Sequence, residues 1–436
     1  MTNKISKVKE NLTDIIKNMA KYPWLFAKNP EKDFTRKRKL DFETIMLLLL
    51  SMDGSTLSKE LLEYTGYSPE TATASAFVQQ RDKILPEAFE FLFHQFNSSF
   101  NDLKTHKGYR LLAVDGSSLN IAHNPEDANT YFQSKLDVKG FNLLHLNAMY
   151  DIKNKIYVDA ILQPGRKKNE NRALTDMMDR SKIKGKVIVM ADRGYEAYNA
   201  FAHAEEKGWN YVIRVKDVSS SCGIVPGLKL KEEGELDKEV SVIITRKKTN
   251  AVKEKPELYK CIPKKGTFDF VDLYKNNFYP MTFRVVRFKI TEDTYETLIT
   301  NLSPEEFSPQ DLKELYHMRW GIETSFRELK YAIGLTNFHA KKMAYIIQEV
   351  FARLVMYNFS LMVAMSVTIK KKATKHLYQV NFTVAIQICK KFIRSYIPFT
   401  HIEALITKHT LPIRPDRQNQ RKIKRQSAVS FLYRIA

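Results

Sequence analysis

The stretch KVIVMADRGYEAYNAFAHAEEKGWNYVIRVK, residues 186–216, decides the fold class. It opens with a short apolar run that is typical of a buried β-strand and that ends in Asp192. A helix-like segment follows at 195–208 and stops at a glycine, and a second apolar run occupies 209–216. Strand, helix and strand in this order indicate an α/β domain.

The residues upstream extend this pattern. RLLAVDGSS (110–118) is another apolar run, and it ends in Asp115 and a glycine. HLNAMYD (145–151) and KIYVDAIL (155–162) are β-like runs joined by a hairpin-like turn, and NENRALTDMMDR (169–180) has helical periodicity. The order β-β-β-α-β-α-β predicts an α/β core with a mixed sheet.

The flanking segments differ in composition from this core. Short amphipathic helices are predicted before it, and lysine- and glutamate-rich β-like pieces with little helical periodicity interrupt it. We therefore predict five regions: a helical N-terminal DNA-binding region (1–105), the first part of the core (106–216), a β-rich insertion (217–300), the second part of the core (301–370) and a basic helical C-terminal region (371–436).

The charge of the chain points to a polyanionic partner. Its 436 residues carry a formal net charge of +21, from 70 basic and 49 acidic residues, and an excess of this size favours nucleic acid. Residues 1–39 hold eleven lysines and arginines against four acids, and residues 401–436 hold eight against two. These basic ends are consistent with a grip on duplex DNA and equally with solvated surfaces.

Cysteine usage and hydropathy suggest a cytoplasmic protein. The three cysteines form no CxxC pair and no zinc spacing, so we expect a reducing compartment. The N-terminus lacks the apolar core of a signal peptide. The longest apolar stretch, Leu354–Ile369, is interrupted by Asn358 and Ser360, so we predict a buried helix and no membrane span.

Residues 308–334 are predicted to form one long helix. Ser308 suits the N-cap, Pro309 the first turn, Asp311 the capping-box position and Gly334 the stop. At about 100° per residue, four polar side chains would share an arc of roughly 60° beside the apolar face: Tyr316, Arg319, Glu323 and Lys330. The alternative is an amphipathic surface helix with scattered charges.

Three acids from distant parts of the chain are the candidate catalytic set. Asp115 and Asp192 each end a predicted buried strand, with a glycine one or two residues later, and Glu323 lies among cations on its helix. A single aspartate of this kind is more often a turn former. Three carboxylates without a histidine or cysteine cluster suit Mg²⁺ or Mn²⁺ in a two-ion site acting on a phosphodiester. Glu349 is a competitor for the third acid, although it lacks a comparable basic stripe.

One motif resembles a known family. The spacing Tyr-x2-Arg-x3-Glu-x6-Lys, at Tyr316, Arg319, Glu323 and Lys330, looks like the signature of bacterial insertion-sequence transposases of the DDE class, in the insertion-sequence-four family. VDGS at the first aspartate and ADRGY at the second resemble that family's aspartate motifs. The β-rich insertion is also similar, and the resemblance covers roughly residues 35–370.

The resemblance implies a ribonuclease H-like core and cut-and-paste DNA transposition by a homodimer on paired inverted repeats. It implies that Asp115, Asp192 and Glu323 are the catalytic residues and bind two Mg²⁺ ions, with Mn²⁺ as a substitute, and that Tyr316, Arg319 and Lys330 bind DNA phosphates. Relatives that form a DNA hairpin flip a base onto aromatic side chains. Trp320 and the aromatics of residues 268–283 are candidates, although packing is the commoner role.

Two other functions are compatible with the sequence. One is a domesticated or inactive relative that binds DNA without turnover. The other is a ribonuclease H-like nuclease that cleaves DNA but does not join strands. Both share the expected fold and the basic charge. Mg²⁺-dependent cleavage of element-end DNA would exclude the inactive relative, and strand transfer would exclude the nuclease.

Overall fold

The computed structural model describes residues 2–413 except 102, 136, 138, 231–233, 273, 275, 276, 293 and 370–376. Part of the predicted basic C-terminal region therefore lies outside the described residues, including Arg421, Lys422, Lys424 and Arg425.

The N-terminal region is helical, as predicted. Its helices are α1 (Thr2–Lys21), α2 (Phe42–Ser51), α3 (Leu57–Tyr64), α4 (Ala74–Arg81) and α5 (Glu87–Ser98), with a 3-10 turn at Pro23–Leu25. The side chains of Asp41, Thr56 and Thr73 accept hydrogen bonds from the first turns of α2, α3 and α4, which explains where these helices begin.

The core sheet follows. Its strands are β1 (Arg110–Ile121), β2 (Tyr131–Phe132), β3 (Phe141–Asp151), β4 (Ile156–Pro164), β5 (Val187–Ala191) and β6 (Asn210–Val215), and its helices are α6 (Glu170–Arg180) and α7 (Tyr198–Glu206). Two 3-10 turns, Gly165–Lys167 and Arg193–Tyr195, lie between them. β1 pairs with β3 in antiparallel and with β5 in parallel orientation, β3 pairs with β4 in antiparallel orientation, and β5 with β6 in parallel. The order β4-β3-β1-β5-β6 confirms the mixed, ribonuclease H-like sheet.

The β-rich insertion continues this sheet. It contains α8 (Ile224–Gly227), β7 (Leu236–Thr245), α9 (Asn250–Glu254), β8 (Tyr259–Cys261), β9 (Phe278–Thr291) and β10 (Thr294–Thr300). β10 pairs with β6 and β9, and β9 pairs with β7, so that core and insertion form one ten-stranded sheet. All five residues of β5 are buried at the centre of this sheet.

The second part of the core is helical. It contains α10 (Pro309–Met318), α11 (Gly321–Arg327), a π-helical turn (Glu328–Ala332) and α12 (Met343–Met365), and the last described segment contains β11 (Tyr378–Val380), α13 (Phe382–Ile393), α14 (Phe399–Lys408) and β12 (Thr410–Pro412). α12 is long and apolar enough to cross a membrane, but 89% of its most apolar 18-residue stretch is buried in the protein. It packs against α2, α5 and α13 as the predicted core helix.

The prediction of one continuous helix over 308–334 is wrong. The N–H groups of Arg319 and Trp320 donate to carbonyls only three residues back, which tightens the chain between α10 and α11. Farther on, the N–H of Ile333 donates to the carbonyl of Glu328, five residues back. Glycine after Trp320 weakens the helix at the first break. The two ends are as predicted: Ser308 and Asp311 form a capping box, and Gly334 has a φ of +91°.

Candidate active site

The two aspartates lie side by side where the pairing of β1 with β5 ends. Val114 of β1 and Ala191 of β5 are the last partners in the parallel pairing, and Asp115 and Asp192 are the residues that follow them. Asp192 comes directly after β5, as predicted, but the prediction that Asp115 ends its strand is wrong, because β1 stays paired with β3 as far as Ile121. Adjacent strands are about 4.8 Å apart. The central pair of strands therefore presents both carboxylates side by side, as the sequence predicted.

Each aspartate is fixed by the backbone that follows it. Oδ1 of Asp115 accepts a hydrogen bond from the N–H of Gly116, and Oδ1 of Asp192 accepts one from the N–H of Gly194, both at 2.8 Å. These short-range bonds restrict both side chains before any ligand binds. Gly116 is also required by space, because a Cβ there would lie 2.4 Å from Nε2 of His145.

Glu323 comes to this site on α11, which packs against β1. Its Oε1 accepts a hydrogen bond from Nη2 of Arg319 at 3.1 Å. The Glu323 side chain is 30% exposed, whereas Arg319 is only 4% exposed. A buried guanidinium therefore holds the third acid at the margin of the site.

The three acids influence one another electrostatically. Burial raises the pKa of Asp115 to about 6, and the charges of Asp192 and Glu323 add to the increase, whereas Gly116 and Arg319 oppose it. Among the residues that the structure describes, no three acidic, histidine or cysteine side chains stand in a ready-made metal-binding arrangement. Like charges that share a site repel each other when no cation is bound. This repulsion explains why the carboxylate of Glu323 pairs with Arg319.

The donor set fits a divalent cation. Carboxylate oxygens are the ligands that Mg²⁺ and Mn²⁺ prefer. The unfavourable ionisation of Asp115 beside two further acids is what a bound cation would relieve. The metal-binding roles of Asp115, Asp192 and Glu323 stay predictions.

The other members of the predicted stripe differ in their surroundings. Tyr316 is 3% exposed, and within the described part of the chain its hydroxyl has no hydrogen-bond partner. Nζ of Lys330 donates to the carbonyl of Ser118 on β1 at 2.9 Å, which brings the π-helical turn to this strand. Trp320 is 46% exposed. Tyr316 and Arg319 are thus largely covered, and their phosphate-binding roles, like that of Lys330, stay predictions.

Two residues at this site were missed by the sequence analysis. His145 on β3 is 3% exposed, and its Nε2 lies 2.9 Å from Oε1 of Glu170, the first residue of α6. The contact with His145 lowers the pKa of Glu170, although burial opposes this change. The sequence offered no motif for this pair, because β3 and α6 meet only through the fold.

Other candidates lie elsewhere or are occupied in packing. Glu349 is buried in an ion pair with Arg81, with 2.8 Å between Oε1 and Nη1. In the segment 268–283, Phe268, Phe270 and Tyr279 pack against one another, with centroids 5.4–6.1 Å apart. These contacts favour structural roles for all four residues.

Comparison with known proteins agrees with this geometry. The family described as "Transposase DDE domain" matches residues 106–359, more than half of the chain and the whole of the site. The chain belongs to the DDE transposase family. DDE transposases act in DNA transposition as nucleases and transesterases, and they generally use divalent metal ions.

No curated protein matches this DDE transposase by sequence. Among solved structures, it is similar to the piggyBac transposase synaptic complex with hairpin DNA, determined by cryo-EM. That alignment has a TM-score of 0.46 and 10% sequence identity, and it covers 90% of this chain and 80% of the other.

Proposed function

We propose that this DDE transposase belongs to the insertion-sequence-four family and moves a bacterial insertion element by a cut-and-paste route. The observation that carries the proposal is the placement of Asp115 and Asp192 directly after the last paired residues of β1 and β5, with Glu323 close enough to raise the pKa of Asp115. The spacing of Tyr316 and Lys330 around Glu323 supports the choice of family.

In this proposal Asp115, Asp192 and Glu323 hold two Mg²⁺ ions, with Mn²⁺ as a substitute. When bound, such ions supply activation of the attacking oxygen and stabilisation of the leaving oxygen at a phosphodiester. Hydrolysis at the element end frees a 3′-hydroxyl, which then attacks a phosphorus atom of target DNA and displaces a 3′-oxygen there. Arg319 keeps Glu323 in place by the hydrogen bond between them.

The basic N-terminal region supports duplex DNA as the partner. Arg36 and Arg38 are exposed and, with Lys32 and Lys83, line a cavity of about 300 Å³. No ion pair involving Arg36 or Arg38 occurs within the described part of the chain, so both charges are available for phosphates. We propose that two copies act together on paired terminal repeats, in the bacterial cytoplasm at the nucleoid.

The experiment that tests the function is a strand-transfer assay with DNA that carries the element's own ends. We expect the wild-type protein with Mg²⁺ to nick the ends and to join them to a second duplex. Asp192→Ala should bind the same DNA and do neither. Cleavage without joining would indicate a nuclease, and binding without cleavage by the wild type would indicate an inactive relative.

Lys330→Ala should weaken binding of the element end several-fold. Lys330 is the most accessible cation of the predicted stripe, and removal of one phosphate contact lowers the slope of log K against log salt by about one. Titrations of labelled end DNA at several salt concentrations measure both quantities. Lys184→Ala is the matched control, because Lys184 is exposed before β5, at the opposite end of that strand from Asp192. An unchanged slope in Lys330→Ala would remove this residue from the DNA contact.

A further inference from the structure

The strongest feature that the proposed function does not use is the pair formed by His145 and Glu170. His145 is 3% exposed and lies opposite Ser118 in the pairing of β3 with β1, three residues beyond Asp115. The 2.9 Å contact between Nε2 of His145 and Oε1 of Glu170 brings the carboxylate beside the strand that carries Asp115.

Glu170 approaches the glycine that follows each aspartate. Its Oε1 is 3.0 Å from the position that a Cβ on Gly116 would take, directly after Asp115. Its Oε2 is 3.8 Å from the position of a Cβ on Gly194, a position that is only 3.0 Å from Oδ1 of Asp192. Because Gly116 and Gly194 have no side chains, the carboxylate of Glu170 has room beside the residues that follow Asp115 and Asp192.

Within the residues that the structure describes, one oxygen of Glu170 has no partner. The contacts of this side chain with His145 and Lys168 both use Oε1. The side chain is 28% exposed, so Oε2 is not sealed inside the protein. A carboxylate with one fixed and one available oxygen can act on a ligand without losing its orientation.

A second observation points to a ligand at the same place. The hydroxyl of Tyr195 is buried, in a residue that is 1% exposed, and it has no hydrogen-bond partner among the described residues. The charges of Asp115, Glu170 and Asp192 all act on it. A buried hydroxyl without a protein partner ordinarily pairs with a water molecule or with another group that the protein binds.

We propose that Glu170, in contact with His145, is a positioning residue that strengthens the binding of a divalent cation by Asp115 and Asp192. This inference rests on the proposed function. Glu170 adds a negative charge that is already oriented in the metal-free protein, while Glu323 is still bound to Arg319. Outer carboxylates of this kind typically change metal affinity by about 10- to 100-fold.

The test is Mn²⁺ binding to the full chain without DNA, by calorimetry or by the electron paramagnetic resonance signal of free Mn²⁺. Glu170→Gln should raise the Kd for Mn²⁺ by about 10-fold or more and leave the melting temperature in EDTA within about 2 °C of the wild type. Glu87→Gln is the matched control, because it makes the same charge change on the exposed face of α5. It should bind Mn²⁺ like the wild type.

Asp192→Asn separates the two levels of the proposal. If the wild type binds Mn²⁺, Asp192→Asn loses it and Glu170→Gln keeps full affinity, the role of Glu170 is overturned and the proposed function stands. If the wild type binds no Mn²⁺ at all, both are overturned. A loss of affinity equal in Glu170→Gln and Glu87→Gln would reduce the effect to net charge and would also overturn the role of Glu170.

Discussion

Asp115→Asn is expected to abolish DNA cleavage and, at the same time, to stabilise the metal-free protein. The loss of a carboxylate that binds the catalytic cations should reduce the cleavage rate on the order of 10³-fold, which corresponds to about 4 kcal/mol of transition-state free energy. The gain in stability has a separate origin, because burial and two neighbouring acids make the ionised side chain unfavourable in the folded state.

The sign of the stability effect follows from the pKa of Asp115. In the unfolded chain the carboxyl ionises near 3.8, whereas in the folded protein its pKa is about 6. The free energy of unfolding therefore decreases as the pH rises from about 4 to about 6. Above this range the asparagine variant should be more stable by about 1–3 kcal/mol.

Thermal unfolding in EDTA checks this prediction. At pH 7.5 the variant should melt several degrees above the wild type, and the difference should shrink as the pH falls from about 6 to about 4, the range in which the folded-state carboxyl takes up its proton. Asp176→Asn is a suitable control. It makes the same charge change at an aspartate that forms an ion pair with Arg172 on the same helix. A pH-independent difference would mean that the charge of Asp115 is not its source.

Glu349→Ala should destabilise the protein by about 3–5 kcal/mol, because it leaves the buried guanidinium of Arg81 without its counter-ion. Arg81 also donates to Oε1 of Gln348 and to the carbonyl of Tyr345, and the N–H of His339 donates to Oε2 of Glu349. This network joins α4 to α12. Denaturant unfolding measures the loss, and cleavage per folded molecule should stay near the wild-type value.

The double variant Arg81→Met with Glu349→Met is the informative control for this pair. Replacement of both charges by apolar side chains removes the unpaired ion and should recover most of the lost stability. If Glu349→Ala kept the stability of the wild type but did not cleave DNA, the structural role would be contradicted and Glu349 would again be a candidate catalytic acid.

The sequence was sufficient for the aspartates because their signal is local. The apolar runs before the two acids identify buried strands, and the pairing of β1 with β5 places Asp115 beside Asp192. The glycine after Asp115 did not mark a strand end, because β1 continues to Ile121 in its pairing with β3. The caps of the segment 308–334 were local as well, and Ser308 and Gly334 lie where they were predicted.

The rest depended on contacts between distant segments. Helical periodicity could not show where the backbone hydrogen bonds depart from the α-helical pattern. The N–H of Arg319 donates to the carbonyl three residues back, and the N–H of Ile333 to the carbonyl five residues back. The contact of His145 with Glu170 joins a strand to the start of a helix, and neither residue belongs to a recognisable motif. The ion pair of Arg81 with Glu349 links residues that are 268 positions apart.

The pairing of β10 with β6 has a consequence for the evolution of such chains. A version shortened by residues 217–300 would leave β6 at an open sheet edge, with a row of unpaired amide and carbonyl groups. Such an edge is a template for aggregation. The inserted segment therefore protects the catalytic half from self-association, and its loops can lengthen or shrink more freely than its strands can be lost.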